Sequence, residues 1–166
     1  MLSVFPKAQK PDGNRTAPIE TRFRNMPNIA IATSDADLLR CFPVMLELRP
    51  HLLESEFVNQ VQRQAQQGFR LAYLSEGDDV KAVAGFRLTE SLSAGPFLYV
   101  DDLITTESAR SKGYGEALFG WLVDYARAHG CRSMELDSGV QRFAAHRFYL
   151  RQRMAIVAHH FSLPLM

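Results

Sequence analysis

Arg110, Gly113 and Gly115 fall in the run ARSKGYGEAL, residues 109–118, where two basic residues and two glycines lead at once into apolar residues at helical spacing. Glycine admits positive φ and close approach of a ligand to the backbone, and the first turn of a helix presents unpaired N–H groups at the positive end of its dipole. A strand, then RSKGYG, then an amphipathic helix is therefore an anion cradle, with phosphate the expected guest. The backbone N–H groups from Lys112 through Tyr114 to Glu116 are the expected donors; Ser111 lies in the same run, and Arg110 and Lys112 add positive charge. A phosphate loop of the Walker type needs Lys and then Ser or Thr after its last glycine, but Glu116 and Ala117 follow Gly115. A dinucleotide fingerprint needs a third glycine where Leu118 stands.

A second constellation lies just upstream. Asp101 and Asp102 are neighbours in the otherwise apolar run PFLYVDDLIT, residues 96–105, where a carboxylate is costly unless paired or put to use. Strand alternation points the two to opposite faces unless a bulge intervenes. His159 and His160 are adjacent without a third ligand nearby, so they read as strand-end residues, and no metal is expected. His146, Arg147 and Arg151 read as the polar face of a helix. Cys41 and Cys131 stand far apart with no metal-type spacing, and read as reduced core thiols of a cytoplasmic protein.

The elements that must position these groups follow from periodicity. NIAIAT, residues 28–33, is a β-rich run, and Ser34 with Asp37 forms a capping-box pattern. Leu38, Phe42, Met45 and Leu46 make one helical stripe that Pro43 should kink or split. A second helix over residues 53–67 carries Leu53, Phe57, Val61 and Ala65 and stops at Gly68. FRLAYL and VKAVAGFRL, separated by SEGDD with Gly77 free to take positive φ, read as a hairpin, and residues 96–105 as the next strand of a meander. Leu118, Phe119, Leu122, Val123 and Ala126 face one way on a helix ending at Gly130; CRSMELD is a strand, residues 141–151 a helix, and AIVAHHFSL, residues 155–163, a terminal strand. The mixed order predicts a largely antiparallel sheet with helices on both faces.

A chain of 166 residues, 46% hydrophobic and 22% charged with formal net charge +1, suits one domain with a sizeable core. Residues 28–166 are read as that domain and residues 1–27, which lack sustained periodicity, as a flexible arm. The near-neutral charge gives no reason to expect a nucleic-acid or membrane partner, and no run approaches the roughly 18 apolar residues of a membrane span.

The segment VDDLITTESARSKGYGEALFGWLVDYA resembles the acyl-coenzyme A signature of the GCN5-related N-acetyltransferase (GNAT) family: Arg or Gln, two residues, Gly, one residue, then Gly or Ala, met by Arg110, Gly113 and Gly115. QRFAAHRFYLRQRM is similar to the family's later helix, with Ala145, Phe148 and Tyr149 matching; Arg142 stands at the usual Asn position and Met154 near the usual Gly. The resemblance implies an α/β (α+β) fold with a mixed, mostly antiparallel sheet of six to seven strands and about four helices. It implies acetyl-CoA as co-substrate, bound at Arg110–Glu116 with the backbone of Leu103 and Ile104, the former near an oxyanion donor. The implied reaction is transfer of the acetyl group to a primary amine by direct attack in a ternary complex. Tyr149 is then the acid that serves the leaving thiolate, Asp101 or Asp102 the base, Asp101 first, and Glu47, Arg49 and His51 the acceptor-site residues. The acceptor is a small-molecule or peptide amine, and the assembly a monomer or homodimer. The alternative is a non-catalytic acyl-CoA-binding or regulatory module on the same fold.

Overall fold

The structure, a computed structural model, describes residues 27–165, so the expected N-terminal arm lies outside the described residues except for Pro27. Strand β1 (Asn28–Ile31) leads to helix α1 (Asp35–Leu48), whose start is set by reciprocal bonds. The Asp37 N–H donates to Ser34 Oγ and the Ser34 N–H donates to the Asp37 carboxylate, each at 3.2 Å. Pro43 does not split α1, which runs unbroken from Asp35 to Leu48. It lies on the exposed side with Leu39, whose carbonyl loses its helical donor at Pro43, while buried Phe42, Val44 and Met45 hold the helix to the core on either side.

Helix α2 (Glu54–Ala65) ends before Gly68, at φ 86°, and hands over to β2 (Phe69–Glu76). β2 and β3 (Asp79–Ser91) form a hairpin in which Glu76 pairs with Asp79 across the two-residue loop Gly77-Asp78. Gly77 takes φ 59° at the first loop position, where the turn demands positive φ. There follow β4 (Gly95–Thr105), a 3₁₀ turn (Glu107–Ala109), α3 (Tyr114–Ala128), β5 (Ser133–Leu136) and α4 (Phe143–Arg151).

The sheet runs β1-β2-β3-β4-β5, antiparallel except for the parallel pair β4–β5. It has five strands among the described residues rather than six to seven, because residues 155–163 form no strand. Alternation makes a segment capable of being a strand; a strand exists only where a neighbour supplies the ladder, and past the left-handed turn at Arg153 (φ 65°) this segment has none in its own chain.

Through β2, β3 and β4 as far as Val100, side chains sort by parity. Phe69, Leu71, Tyr73 and Val83 meet Leu38, Phe42 and Met45 of α1 and Phe57 and Val61 of α2 on one face. On the other, Ala72, Leu74, Ala82, Ala84, Phe86 and Leu98 meet Leu118, Leu122 and Ala126 of α3, the small alanines giving the helix a close seat. Each fully buried leucine contributes about 1.5–3 kcal/mol, and Leu71, Leu74, Leu98, Leu118 and Leu122 anchor both layers. Cys41 is wholly buried, which pushes its thiol up to about 12, so it is a packing residue and not a nucleophile.

Candidate active site

The site begins where a parallel strand pair comes apart. β4 and β5 pair only over Phe97–Val100 and Ser133–Leu136; beyond Val100 the edge of β4 that had faced β5 has no strand partner. At the same point β4 carries a bulge: Val100 pairs with Phe86 and Asp102 with Gly85, leaving Asp101 as the extra residue. The bulge shifts parity. Before it, Tyr99 faces the α1–α2 side while Leu98 and Val100 lie in the α3 core; after it, Ile104 faces α1 and α2. Asp101 and Asp102 therefore do not point to opposite faces. Both line one cavity of about 520 Å³ beneath α1 and α2.

Each carboxylate has its own cation. Arg87, opposite Tyr99 on β3, donates from Nε to Asp101 Oδ2 at 3.0 Å and from Nη2 to Gln64 Oε1 at 3.2 Å. Arg49, at the end of α1, donates from Nε to Asp102 Oδ1 at 2.8 Å and from Nη2 to the Asp101 carbonyl at 3.3 Å, tying the bulge to the helix. Gly85 makes room for this: a Cβ there would lie 2.6 Å from the Phe69 ring and 3.1 Å from Asp102 Oδ2. Burial raises the Asp101 carboxyl from its ordinary value, outweighing the opposing pull of Arg87. Tyr99 donates to Asp137 Oδ2 at 2.7 Å, and burial, reinforced by that bond, pushes its phenol up to about 12.

A smaller cleft of about 250 Å³ opens on the free edge of β4, with Asp101, Asp102 and Leu103 on one side and Arg142, Ala145 and Tyr149 of the α4 region on the other. Tyr149 is half-buried, which raises its phenol pKa, with Arg142 opposing. Phe148 stacks edge-on against Phe119 at 5.7 Å and attaches α4 to α3. Ile104 is buried under α1, so only its backbone is available at the strand edge.

At the end of β4 the chain passes through the 3₁₀ turn into Arg110–Gly113. Ser111 adopts φ 63° and Gly113 φ 88°, the latter serving as N-cap of α3. The first bond back into the helix runs from the Ala117 N–H to the Gly113 carbonyl at 2.9 Å, so the Tyr114, Gly115 and Glu116 N–H groups have no intrahelical acceptor. A Cβ on Gly113 would meet nothing within 4 Å, whereas one on Gly115 would stand 2.9 Å from Thr105 Oγ1. Arg110 and Lys112 are exposed beside this turn.

Of the three residues expected at an acceptor site, Arg49 and His51 line the larger cavity and Glu47 does not. Glu47 instead receives the Thr106 hydroxyl and the Glu107 N–H, the latter at 2.9 Å, and braces the turn leading into Arg110. The helical stripe could not show this, because Glu47's partners lie some sixty residues downstream. Arg87, Tyr99, Gln64 and Asp137 were not singled out by the sequence. Tyr99 stands two positions before Asp101, which was the available signal for a shared face. His146 bonds to the Gly139 carbonyl at 3.0 Å, and His160 Nδ1 to Asp137 Oδ2 at 2.9 Å. Among the described residues no cluster of three His, Cys, Asp or Glu is placed to hold a metal ion.

Comparison with known proteins agrees with this architecture. Residues 36–153 match the Acetyltransferase (GNAT) family. The Bacillus subtilis protein YhdJ, described as an uncharacterized N-acetyltransferase, is 36% identical over 118 residues, covering 70% of this chain and 83% of YhdJ. The aminoglycoside N-acetyltransferase AAC(6')-Iy, solved in complex with CoA, superposes with a TM-score of 0.74 at 11% identity over 84% of this chain and 95% of its own. A Trypanosoma brucei acetyltransferase does so at 0.70 and 19% identity over 84% and 100%. The last two share the fold, and the family match spans both the free edge of β4 and the glycine turn that opens α3: the chain belongs to the GNAT acetyltransferase family.

Proposed function

We propose that the protein is an N-acetyltransferase that moves the acetyl group of acetyl-CoA to the primary amine of an acceptor with an apolar body. The observation that carries this reading is convergence on the free edge of β4: the glycine turn lies at its end, the cleft with Tyr149 at its side, and the carboxylate-lined cavity beneath its bulge. Acetyl-CoA, when bound, supplies a thioester. The Tyr114, Gly115 and Glu116 N–H groups, with Arg110 and Lys112, hold its pyrophosphate. The space in front of Gly113 suits that fit. Leu103 and Ile104 offer backbone along the strand edge, including an N–H for the carbonyl oxygen. Asp101 receives the ammonium proton and Tyr149 donates to the departing sulfur.

The cavity supports the acceptor class. Met45, Leu52, Phe57, Val61, Phe69 and Leu71 form apolar walls, and among the lining residues three carboxylates, Asp101, Asp102 and Asp137, exceed the two guanidiniums of Arg49 and Arg87 by one negative charge. Such a site draws a cation with a hydrocarbon body and penalises a second, anionic group. Thiol release from acetyl-CoA across an amine panel tests both points. Apolar-bodied amines should show kcat/KM about tenfold or more above their carboxylate-bearing counterparts. Acetyl-CoA binding without thiol release from any amine would support the non-catalytic module instead.

The glycine turn makes a separate prediction. Acetyl-CoA should raise the Tm of the parent by linkage, and Gly113→Val should abolish the shift, since valine is strained at φ 88° and fills the open space. Gly115→Val should do the same and also lower the Tm of the free protein, because its side chain collides with Thr105. Thermal melts with and without acetyl-CoA decide it; an undiminished shift in both variants removes the turn from the site.

A further inference from the structure

We infer, resting on the reading of Asp101 as the base, that Arg87 is the residue that positions it: Arg87 fixes the Asp101 carboxylate at the wall of the larger cavity and ties it through Gln64 to α2. Alternation in β3 turns Arg87 to the side of Val83 and Gly85, beneath α1 and α2. The walls there are largely apolar, and a guanidinium is costly in such a place unless its N–H groups are met. Each of its nitrogens has a partner. Nε donates to Asp101 Oδ2 at 3.0 Å and to Oδ1 at 3.3 Å, so that one N–H spans both oxygens. Nη2 donates to Gln64 Oε1 at 3.2 Å, and Nη1 reaches the Gln67 carbonyl at 3.5 Å. The guanidinium also lies over the Phe69 ring, 5.3 Å from its centroid. The end of α2, the turn after it and the start of β2 thus hold the cation, and the cation holds the carboxylate.

Asp101 needs such a hold. It is the extra residue of the bulge, so no residue opposite it in the β3 ladder sets its direction. A base acts only with its oxygen within hydrogen-bond reach of the proton, and a small misplacement costs much of the rate. An ion pair of two long exposed side chains would fix little, but here the two side chains are 26% and 27% exposed. A planar guanidinium meets the carboxylate from one nitrogen and Gln64 from another, which an ammonium cannot do in a fixed geometry. The other charges that reach Asp101 are Asp102 beside it and Arg49 from α1. Those two are bound to each other at 2.7 Å, which leaves Arg87 as the cation on the Asp101 side chain itself. His51, Tyr99 and Asp137 share its larger cavity, and Arg142 and Tyr149 its smaller one; all are common to the variants below.

Two substitutions separate the charge from the fork. Arg87→Gln puts an amide N–H about where Nε stands and removes the charge, whereas Arg87→Lys keeps the charge and removes the fork. In Arg87→Gln the acid limb of kcat/KM should move up by about one pH unit, the order by which an opposite charge at this distance holds a carboxyl down. That is about a tenfold loss on the limb and little on the plateau. In Arg87→Lys the limb should stay where it is in the parent while kcat falls about tenfold across the profile. A second readout needs no turnover: followed by NMR in the free full-length chain, the Asp101 carboxyl should titrate about one unit higher in Arg87→Gln than in the parent. A salt bridge that serves only the fold would lower Tm and scale the profile down without moving limb or midpoint, and that result overturns the proposal. So does a carboxyl midpoint unmoved in Arg87→Gln, even where Asp101→Asn behaves as a lost base should. An Arg87→Lys variant with the parent's kcat, or with a limb moved as far as that of Arg87→Gln, overturns it as well. A midpoint that rises while the limb stays put would mean that Arg87 holds Asp101 but that Asp101 is not the base, and overturns that reading together with Arg87's part in the reaction.

Discussion

Asp101→Asn is expected to lower kcat/KM for amine acetylation at pH 7 by about 10²-fold or more, with a deficit that narrows as pH rises. An acceptor amine of pKa about 10 is almost wholly protonated at neutral pH, so a group must take its proton before attack. Asp101 is placed for this at the bulge, between the larger cavity and the cleft that holds Tyr149. Its carboxyl titrates above the ordinary value of about 3.9 because burial disfavours the anion more than Arg87 favours it. The sign follows: the acid limb of the parent profile is shifted upward from the ordinary carboxylate value and is lost in the Asn variant, while at high pH solvent produces the free amine and the base is no longer needed. Asn keeps a carbonyl oxygen for Arg87 Nε, so the geometry is retained. Asp102→Asn separates the two roles. Because the bulge turns both carboxylates to one side, their partners rather than their faces distinguish them: Asp102 anchors Arg49, which in turn holds the Asp101 carbonyl. Its loss should lower Tm and cost less in rate. Turnover from about pH 6 to about pH 10 for both variants and the parent is the test; a flat ratio of parent to Asp101→Asn, or the larger defect in Asp102→Asn, sinks the assignment.

That the two aspartates share a face is an instance of what a sequence does not display. Alternation is a property of one strand, but a bulge is a property of a pair, created by Gly85 and Phe86 of β3 pairing around an extra residue in β4. The local features were legible because local physics makes them: the Ser34–Asp37 box, the Gly77 turn, and the strand-to-helix turn at Gly113, where positive φ admits glycine most readily. Glu47's place outside the larger cavity was not legible because its contacts are with Thr106 and Glu107. Asp137 was missed because a carboxylate at a strand end looks like a cap until Tyr99 and His160 are seen on it. Residues 155–163 show the same limit from the other side: their strand pattern is legible, but alternation supplies no neighbour, and none pairs with them among the described residues.

Tyr149→Phe is expected to lower kcat by about 10²-fold or more while leaving acetyl-CoA binding nearly unchanged. The ring remains, so α4 keeps the aromatic contacts that run through Phe148 to Phe119. What goes is a hydroxyl that burial holds in its protonated form well past neutral pH, and that faces Asp101, Asp102 and Leu103 across the cleft. A phenol of this kind is a donor throughout the working range, and its use arises only when sulfur departs with negative charge. An interaction made only then lowers the barrier without tightening the ground state. The variant's kcat and kcat/KM therefore fall together, and its acetyl-CoA thermal shift matches the parent's. Equal losses in binding and turnover would mean that Tyr149 is a packing residue; unaltered turnover would mean that the thiolate takes its proton from elsewhere. Arg142, which faces the same cleft and opposes the rise in the Tyr149 pKa, provides the control. Arg142→Gln removes a cation while leaving the hydroxyl, so a selective loss confined to Tyr149→Phe assigns the proton to the phenol.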